Sequence, residues 1–217
     1  RDVIRTFKPS LPQLVLSPGR SDFLDRKIEK DMHSAIRILN LGSIQPNKGQ
    51  LRLVHAFHSF LQHSPGAEVS LTLCGEKRDP RYFDSINAYV DKHRLSSWVT
   101  FKDQVPHEQV SHLMKQADIY VCSSIYESYG LAILEAASSG LYILNFARGG
   151  AWDLAMTLAG SNVQGVEHFV STLATLCRDP HEFEMLGVRA RMECAKMATW
   201  DTKARQLEDW LGTHFLE

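Results

Sequence analysis

The chain reads as an α/β protein built on a doubly wound parallel sheet. Three observations point there. Short, mostly apolar strands alternate with longer stretches of helical periodicity. Strands buried on both faces belong to parallel sheets covered by helices on each side. The strand-then-helix order repeats, and glycine or polar loops follow the strands.

Taken in order, Ile36–Leu41 is the first strand. The helix from Gly49 to His63 gathers Leu53, Val54, Phe57, Phe60 and Leu61 on one side. Val69–Cys74 is a strand ended by Gly75, Arg81–Arg94 a helix, Val99–Lys102 a strand and His107–Lys115 a short helix. Ile119–Cys122 is a strand whose helix begins with Gly130 just inside its start, and Tyr142–Leu144 follows Gly140 as a further strand. Helices are expected near 151–158, 166–178 and 181–197, and a last one around Asp201, read as its N-cap.

Residues 1–35 differ in texture. Pro9, Pro12, Pro18 and Gly19 precede a charged run from Asp25 to Asp31, and only Gln13 to Leu16 suggests a strand, with a turn at Ser17–Arg20. We expect a linker or N-terminal extension at 1–35 and one domain at 36–217.

Composition narrows the function. The 217 residues are 44% hydrophobic, enough for one domain with its own core. A formal net charge of −1 lacks the basic footprint of a nucleic-acid binder. No run approaches the ~18 apolar residues of a membrane span. Cys74, Cys122, Cys177 and Cys194 are scattered without CxxC spacing, which reads as free thiols in a reducing compartment. The start is neither a Met nor a signal peptide, so a fragment of a cytoplasmic protein is expected, with peripheral membrane association open for the whole protein.

The most informative stretch is Glu127-Ser-Tyr-Gly-Leu-Ala-Ile-Leu-Glu135. It places one carboxylate at the mouth of a helix and another two turns in, roughly 12 Å along the axis. Between them lies a helix N-terminus with free N–H groups and a partial positive charge, which suits a diphosphate. In open α/β sheets ligands settle outside the carboxyl ends of the strands, where strand order reverses. The loops after Leu41, Cys74, Lys102 and Cys122 open onto that edge. His55 and His58 share a helix face, but no third ligand stands at metal-binding spacing, so they read as packed or solvated. Trp152, Trp200 and Trp210 read as packing residues.

This pattern resembles the donor-binding, C-terminal half of GT-B retaining glycosyltransferases, the family 4-like group. The resemblance runs from about Ile36 to the C-terminus. It rests on Glu127-x7-Glu135 with Gly130 and the following Ala136 and Gly140, on Asn40-Leu-Gly-Ser-Ile-Gln-Pro-Asn-Lys-Gly49, on Phe101-Lys-Asp-Gln-Val105, on Ala117-Asp-Ile-Tyr-Val121 and on Gly149-Gly-Ala-Trp-Asp153.

The resemblance implies a nucleotide-diphosphate sugar, with a UDP-sugar expected, and no metal or other cofactor. Lys48 is implied as the cation on the diphosphate. Gly42 and Ser43 line the same loop, but Ser43 stands where the family usually carries an arginine. Arg78 or Arg148 reaching in, weaker donor binding, or reliance on the helix dipole remain open there. Tyr129, Gly130 and Leu131 are implied to offer backbone N–H groups to the phosphates, Glu135 to accept from the ribose hydroxyls, Gln104 and Val105 to meet the base, and Glu127 to hold the transferred sugar. Glu127 and Lys48 are the implied catalytic pair. An acceptor sugar, lipid or other small molecule would be held by an N-terminal domain missing here, so the fragment alone should be inactive. A non-catalytic nucleotide-sugar-binding module and a nucleotide-sugar epimerase of the same fold remain as alternatives.

Overall fold

The computed structural model describes residue 14, residues 16–20 and residues 35–215. Six strands form one parallel sheet: β1 (Ile36–Leu41), β2 (Val69–Cys74), β3 (Val99–Lys102), β4 (Ile119–Cys122), β5 (Tyr142–Asn145) and β6 (Ser161–Asn162). Between and after them run α1 (Gln50–His63), α2 (Pro80–Lys92), α3 (His107–Lys115), α4 (Leu131–Ser138), α5 (Gly150–Thr157), α6 (Val166–Arg178), α7 (Pro180–Ala195) and α8 (Trp200–Phe215). The strand order is β3-β2-β1-β4-β5-β6. The chain winds outward from β1 in one direction, then crosses back to β4 and winds in the other. The fold is therefore the doubly wound, Rossmann-like sheet expected from the sequence, with its switch point between β1 and β4.

Successive strand residues feed opposite cores, because side chains alternate across a sheet. Ile38, Leu71, Leu73, Ile119, Val121 and Leu144 pack with α1, α2 and α6. Leu39, Tyr120, Cys122 and Ile143 pack on the other face with α3, α4, α5 and α7. Both faces are covered, so β4 and β5 are buried along their whole length, while β2 and β3 toward the edge carry Ser70, Thr72, Thr100 and Lys102. The cysteines are free thiols, with Cys74, Cys122 and Cys194 buried. One ion pair fastens the amino ends of β1 and β4 together: Asp118 accepts from the Arg37 backbone N–H at 2.9 Å and from the guanidinium at 3.1 and 3.2 Å. A two-oxygen, fork-like pairing of this kind fixes geometry as well as charge.

Several expectations change. Strand β6 had no sequence signal, because it is two polar residues paired at the sheet edge through Leu144↔Ser161 and Asn145↔Asn162. Helix α8 is capped by Thr199, whose Oγ1 accepts from the Thr202 N–H at 3.2 Å, and Asp201 lies inside its first turn. Trp200 is 48% exposed and so is not a packing residue. Of the proposed strand at 13–16, Gln13 and Val15 lie outside the described residues, as does the charged run at 25–31, and Leu14 and Leu16 belong to no strand. Ser17–Arg20 is irregular backbone that ends in a bridge between Arg20 and Thr199.

A buried polar knot stabilises the turn between β5 and α5. Asn145 is fully buried, donates through Nδ2 to Ala147 O at 3.0 Å and to Asn162 Oδ1 at 2.7 Å, and accepts from the Ala147 N–H at 3.0 Å. Replacing Asn145 with Ala strands several partners away from water, so we expect a loss of about 2–3 kcal/mol in urea unfolding. A loss below about 0.5 kcal/mol would mean that the knot does not hold this turn.

Candidate functional site

At the switch point the loops after β1 and β4 lean on each other. Asn40, buried near the end of β1, donates to Val121 O at 2.8 Å and to Ser123 Oγ at 3.1 Å. Ser123 Oγ donates onward to the Lys48 carbonyl at 2.6 Å. The Ile125 N–H donates to Asn47 O at 2.9 Å, and Arg52 Nη2 donates to Ser123 O at 2.9 Å. Gly49 closes the Pro46–Lys48 turn in a left-handed conformation (φ 66°), and a Cβ there would collide with the Ser123 carbonyl. The two loops can approach this closely only because residue 49 lacks a side chain.

That approach brings the two implied catalytic residues together. Lys48 Nζ lies 2.8 Å from Glu127 Oε2, with both side chains about a quarter exposed (28% and 26%). Ser124 Oγ donates to the same oxygen at 3.3 Å. The Glu127 backbone is held from the other side, its N–H on Arg148 O at 2.9 Å and its carbonyl accepting from the Ala151 N–H at 3.3 Å. A Cβ on Gly150 would collide with the Ser128 carbonyl, so the Gly149–Gly150 turn serves to seat the loop that carries Glu127.

Lys48 and Glu127 face the amino end of α4. Gly130 is the N-cap of this helix (φ 98°) and not a residue inside it, as the sequence suggested. Leu131 and Ala132, the first two helical residues, have no acceptor for their N–H groups within the helix. The nearby start of α1 differs, because the Leu51 N–H donates to the Tyr82 hydroxyl at 2.9 Å. A cleft of about 480 Å³ is lined by Gly42, Ser43, Lys48, Glu127, Tyr129, Gly130 and Leu131, all singled out from the sequence. An adjoining cleft of about 420 Å³ shares Gly42 and Ser43 and adds Gln104, Val105, Arg78 and His107.

Glu135 lines neither cleft. It is half-buried, and burial raises its carboxyl pKa, with His107 pulling the other way. Of the two arginines offered as substitutes at Ser43, Arg78 reaches the second cleft, where its Nε donates to Glu76 at 2.9 Å. Arg148 stacks on Trp152 instead, 4.7 Å from the ring centre. Ser43 accepts from Gln45 Nε2 at 2.9 Å. His55 and His58 pack on Tyr89, whose hydroxyl lies 2.9 Å from His58 Nδ1. Burial, the largest cause, and then the neighbouring His93 lower both of their pKa values. Among the described residues no group of three His, Cys, Asp or Glu is arranged to hold a metal ion.

Sequence reasoning missed Gln50, Tyr120, Ser123 and Ser124. Gln50 is buried, its Nε2 donates to Ser43 O at 3.0 Å, and its Oε1 has no partner among the described residues. Tyr120 forms part of the cleft wall inside an apolar strand, where it reads as core. Its phenol pKa is pushed well above the usual value by burial, then by Cys122, Glu127 and Glu135. Ser123 and Ser124 carried a signal, two hydroxyls directly after a buried strand, but looked like a turn.

A family model described as glycosyl transferases group 1 matches residues 22–187. The GPI3 subunit of phosphatidylinositol N-acetylglucosaminyltransferase from Saccharomyces cerevisiae (strain YJM789) is 31% identical over 148 residues, covering 68% of this chain and 29% of that protein. D-inositol 3-phosphate glycosyltransferase from Corynebacterium efficiens is 26% identical over 219 residues, covering 95% of this chain and 50% of that protein. Among solved structures, sucrose-phosphate synthase from Thermosynechococcus elongatus superposes with a TM-score of 0.72 at 24% identity, over 84% of this chain and 46% of that one. HepE from Anabaena, crystallised with UDP and glucose, gives a TM-score of 0.73 at 19% identity, over 83% of this chain and 49% of that one. The chain thus spans about half the length of these proteins, and less than a third of the yeast relative.

The raised pKa of Glu135 has a definite sign. Its folded-state value lies above its unfolded value, so the fold gains stability while the group is neutral and loses it as pH rises through the folded pKa. Glu135→Gln should therefore melt at a higher temperature than the parent at neutral pH. That advantage should vanish once the pH falls below the ordinary glutamate range. A variant that melts lower at neutral pH would show that the Glu135 carboxylate is held by favourable contacts rather than strained by burial.

Proposed function

Since the chain belongs to the glycosyl transferases group 1 family, we propose that it is the donor-binding half of a retaining transferase, holding a nucleotide-diphosphate sugar across the amino end of α4. The observation that carries this is the Lys48–Glu127 pair, 2.8 Å apart, at a helix start whose first N–H groups lack intrahelical partners. A cation and a set of free donors stand side by side where an anion would lie, with a carboxylate just beyond them.

In this reading the diphosphate rests against the Gly130–Leu131 end of α4 and draws Lys48 Nζ to itself. The base extends into the second cleft along Gln104 and Val105. Glu135, near enough to His107 to feel its charge, takes the ribose hydroxyls. The sugar meets Glu127. A UDP-sugar is the donor to test first, because HepE was crystallised with UDP and glucose. Lys48 and the helix end supply the neutralisation, so no metal is invoked.

Transfer breaks the bond between the sugar's anomeric carbon and the diphosphate, and forms one from that carbon to the acceptor oxygen. The acceptor's proton passes to the departing phosphate oxygen on the same face. Negative charge grows on the diphosphate and positive charge on the ring as the bond stretches. Lys48 and the fixed N–H groups stabilise the first, and Glu127 the second, without reorganising. The acceptor sugar, lipid or other small molecule belongs to a second domain of a longer protein, in keeping with relatives about twice this length.

Thermal shift and calorimetry with UDP, GDP, ADP and their sugars test the proposal. At least one nucleotide series should stabilise the chain, while sugar transfer by this chain alone should be negligible. Lys48→Ala should weaken diphosphate binding by about 10- to 100-fold, the worth of one charge-assisted contact. No stabilisation by any of these compounds would overturn the donor-binding reading, and unchanged affinity in the variant would remove Lys48 from the site.

A further inference from the structure

We infer that Glu127 makes this site read the terminal phosphate of its ligand, accepting a diphosphate capped by a sugar and disfavouring the free nucleoside diphosphate. The inference rests on the donor-binding reading and concerns what the Lys48–Glu127 contact does within it. Lys48 already has an anionic partner before any ligand arrives, at 2.8 Å. A diphosphate that recruits Lys48 must share that cation with a carboxylate or take it away.

Glu127 starts from an anchored position. Its backbone is fastened at both N–H and carbonyl to the 148–151 turn, and Gly150 leaves no slack behind Ser128. Oxygen Oε2 also accepts from Ser124 Oγ at 3.3 Å. The carboxylate is therefore tethered within a few ångströms of any group that recruits Lys48.

Two ligands meet this tethered carboxylate differently. In a sugar donor each phosphate carries one ester and one anhydride link and a single negative charge, and the sugar presents hydroxyls that donate to Glu127. In a free nucleoside diphosphate the terminal phosphate is a monoester-like group with a second pKa of about 6, so near pH 7.5 it carries an extra charge and no comparable donor. Like charges a few ångströms apart in a partly buried cleft repel strongly. Glu127 thus favours the intact donor and helps expel the product left after transfer.

The experiment is calorimetry at pH 7.5 on this chain and on Glu127→Gln, using UDP, UDP-glucose and UMP, with the GDP, GDP-mannose and GMP series alongside. The parent should bind the sugar donor more tightly than the free diphosphate. Glu127→Gln should bind the free diphosphate about tenfold more tightly than the parent does, lose the preference for the sugar donor, and leave monophosphate affinity within about twofold. Glu127→Ala, which removes the charge without supplying an amide, should move diphosphate affinity in the same direction and guards against a defect peculiar to glutamine. Diphosphate affinity that is unchanged or weaker in both variants, with nucleotide binding intact, would overturn this inference and leave the donor-binding reading standing. Binding of no nucleotide by the parent chain would overturn both.

Discussion

The close approach of two loops at the switch point is the constraint on which the site depends. β1 and β4 are neighbours in the sheet, but their helices depart to opposite faces, so the loops after them form the two walls of a crevice. Gly49 lets the first wall touch the second, and the relay from Asn40 through Ser123 to the Lys48 carbonyl ties them together. Lys48 and Glu127, 79 residues apart in sequence, meet as a consequence. The bidentate Arg37–Asp118 pair at the other end of the same strands keeps the walls from sliding.

From that contact the rest of the chemistry follows in layers. The turn between β5 and α5, knotted by Asn145, seats the loop of Glu127 from behind. Helix α4 then starts on the cleft with Gly130 as its cap, so its unpaired N–H groups open beside the ion pair. Strand residues that look like plain core, Tyr120 above all, turn out to form part of the cleft wall. Glu135 is the complementary case, a half-buried carboxyl outside both clefts whose pKa burial raises.

Much of this was legible in the sequence, for physical reasons that can be named. β1, β2, β3 and β4 were found to the residue because each is a short, mostly apolar run that ends abruptly at a polar or glycine-bearing loop. β6 was invisible because Ser161 and Asn162 bury little and pair only at an edge. Gly130 was misplaced by one position, since a left-handed N-cap and a first helical residue look alike in one letter. Thr199 and Asp201 are both good caps, and only the contact to Thr202 decides between them. Lys48, Glu127 and Gly130, which the structure brings to one cleft, were named one by one through family resemblance. Their pairing was not, because motif positions carry no distances. Gln50 and the Ser123–Ser124 pair were missed because they act on loops rather than on a ligand.

The central claim is that a diphosphate displaces or shares the lysine in the Lys48–Glu127 contact at the start of α4. A crystal structure of the chain soaked with a UDP-sugar or the matching nucleotide tests this most directly. The account predicts phosphate density against Gly130 and Leu131, with Lys48 Nζ within hydrogen-bond reach of a phosphate oxygen and Glu127 turned to the sugar. Nucleotide bound elsewhere on the sheet edge, with Lys48 still committed to Glu127 alone, would contradict it.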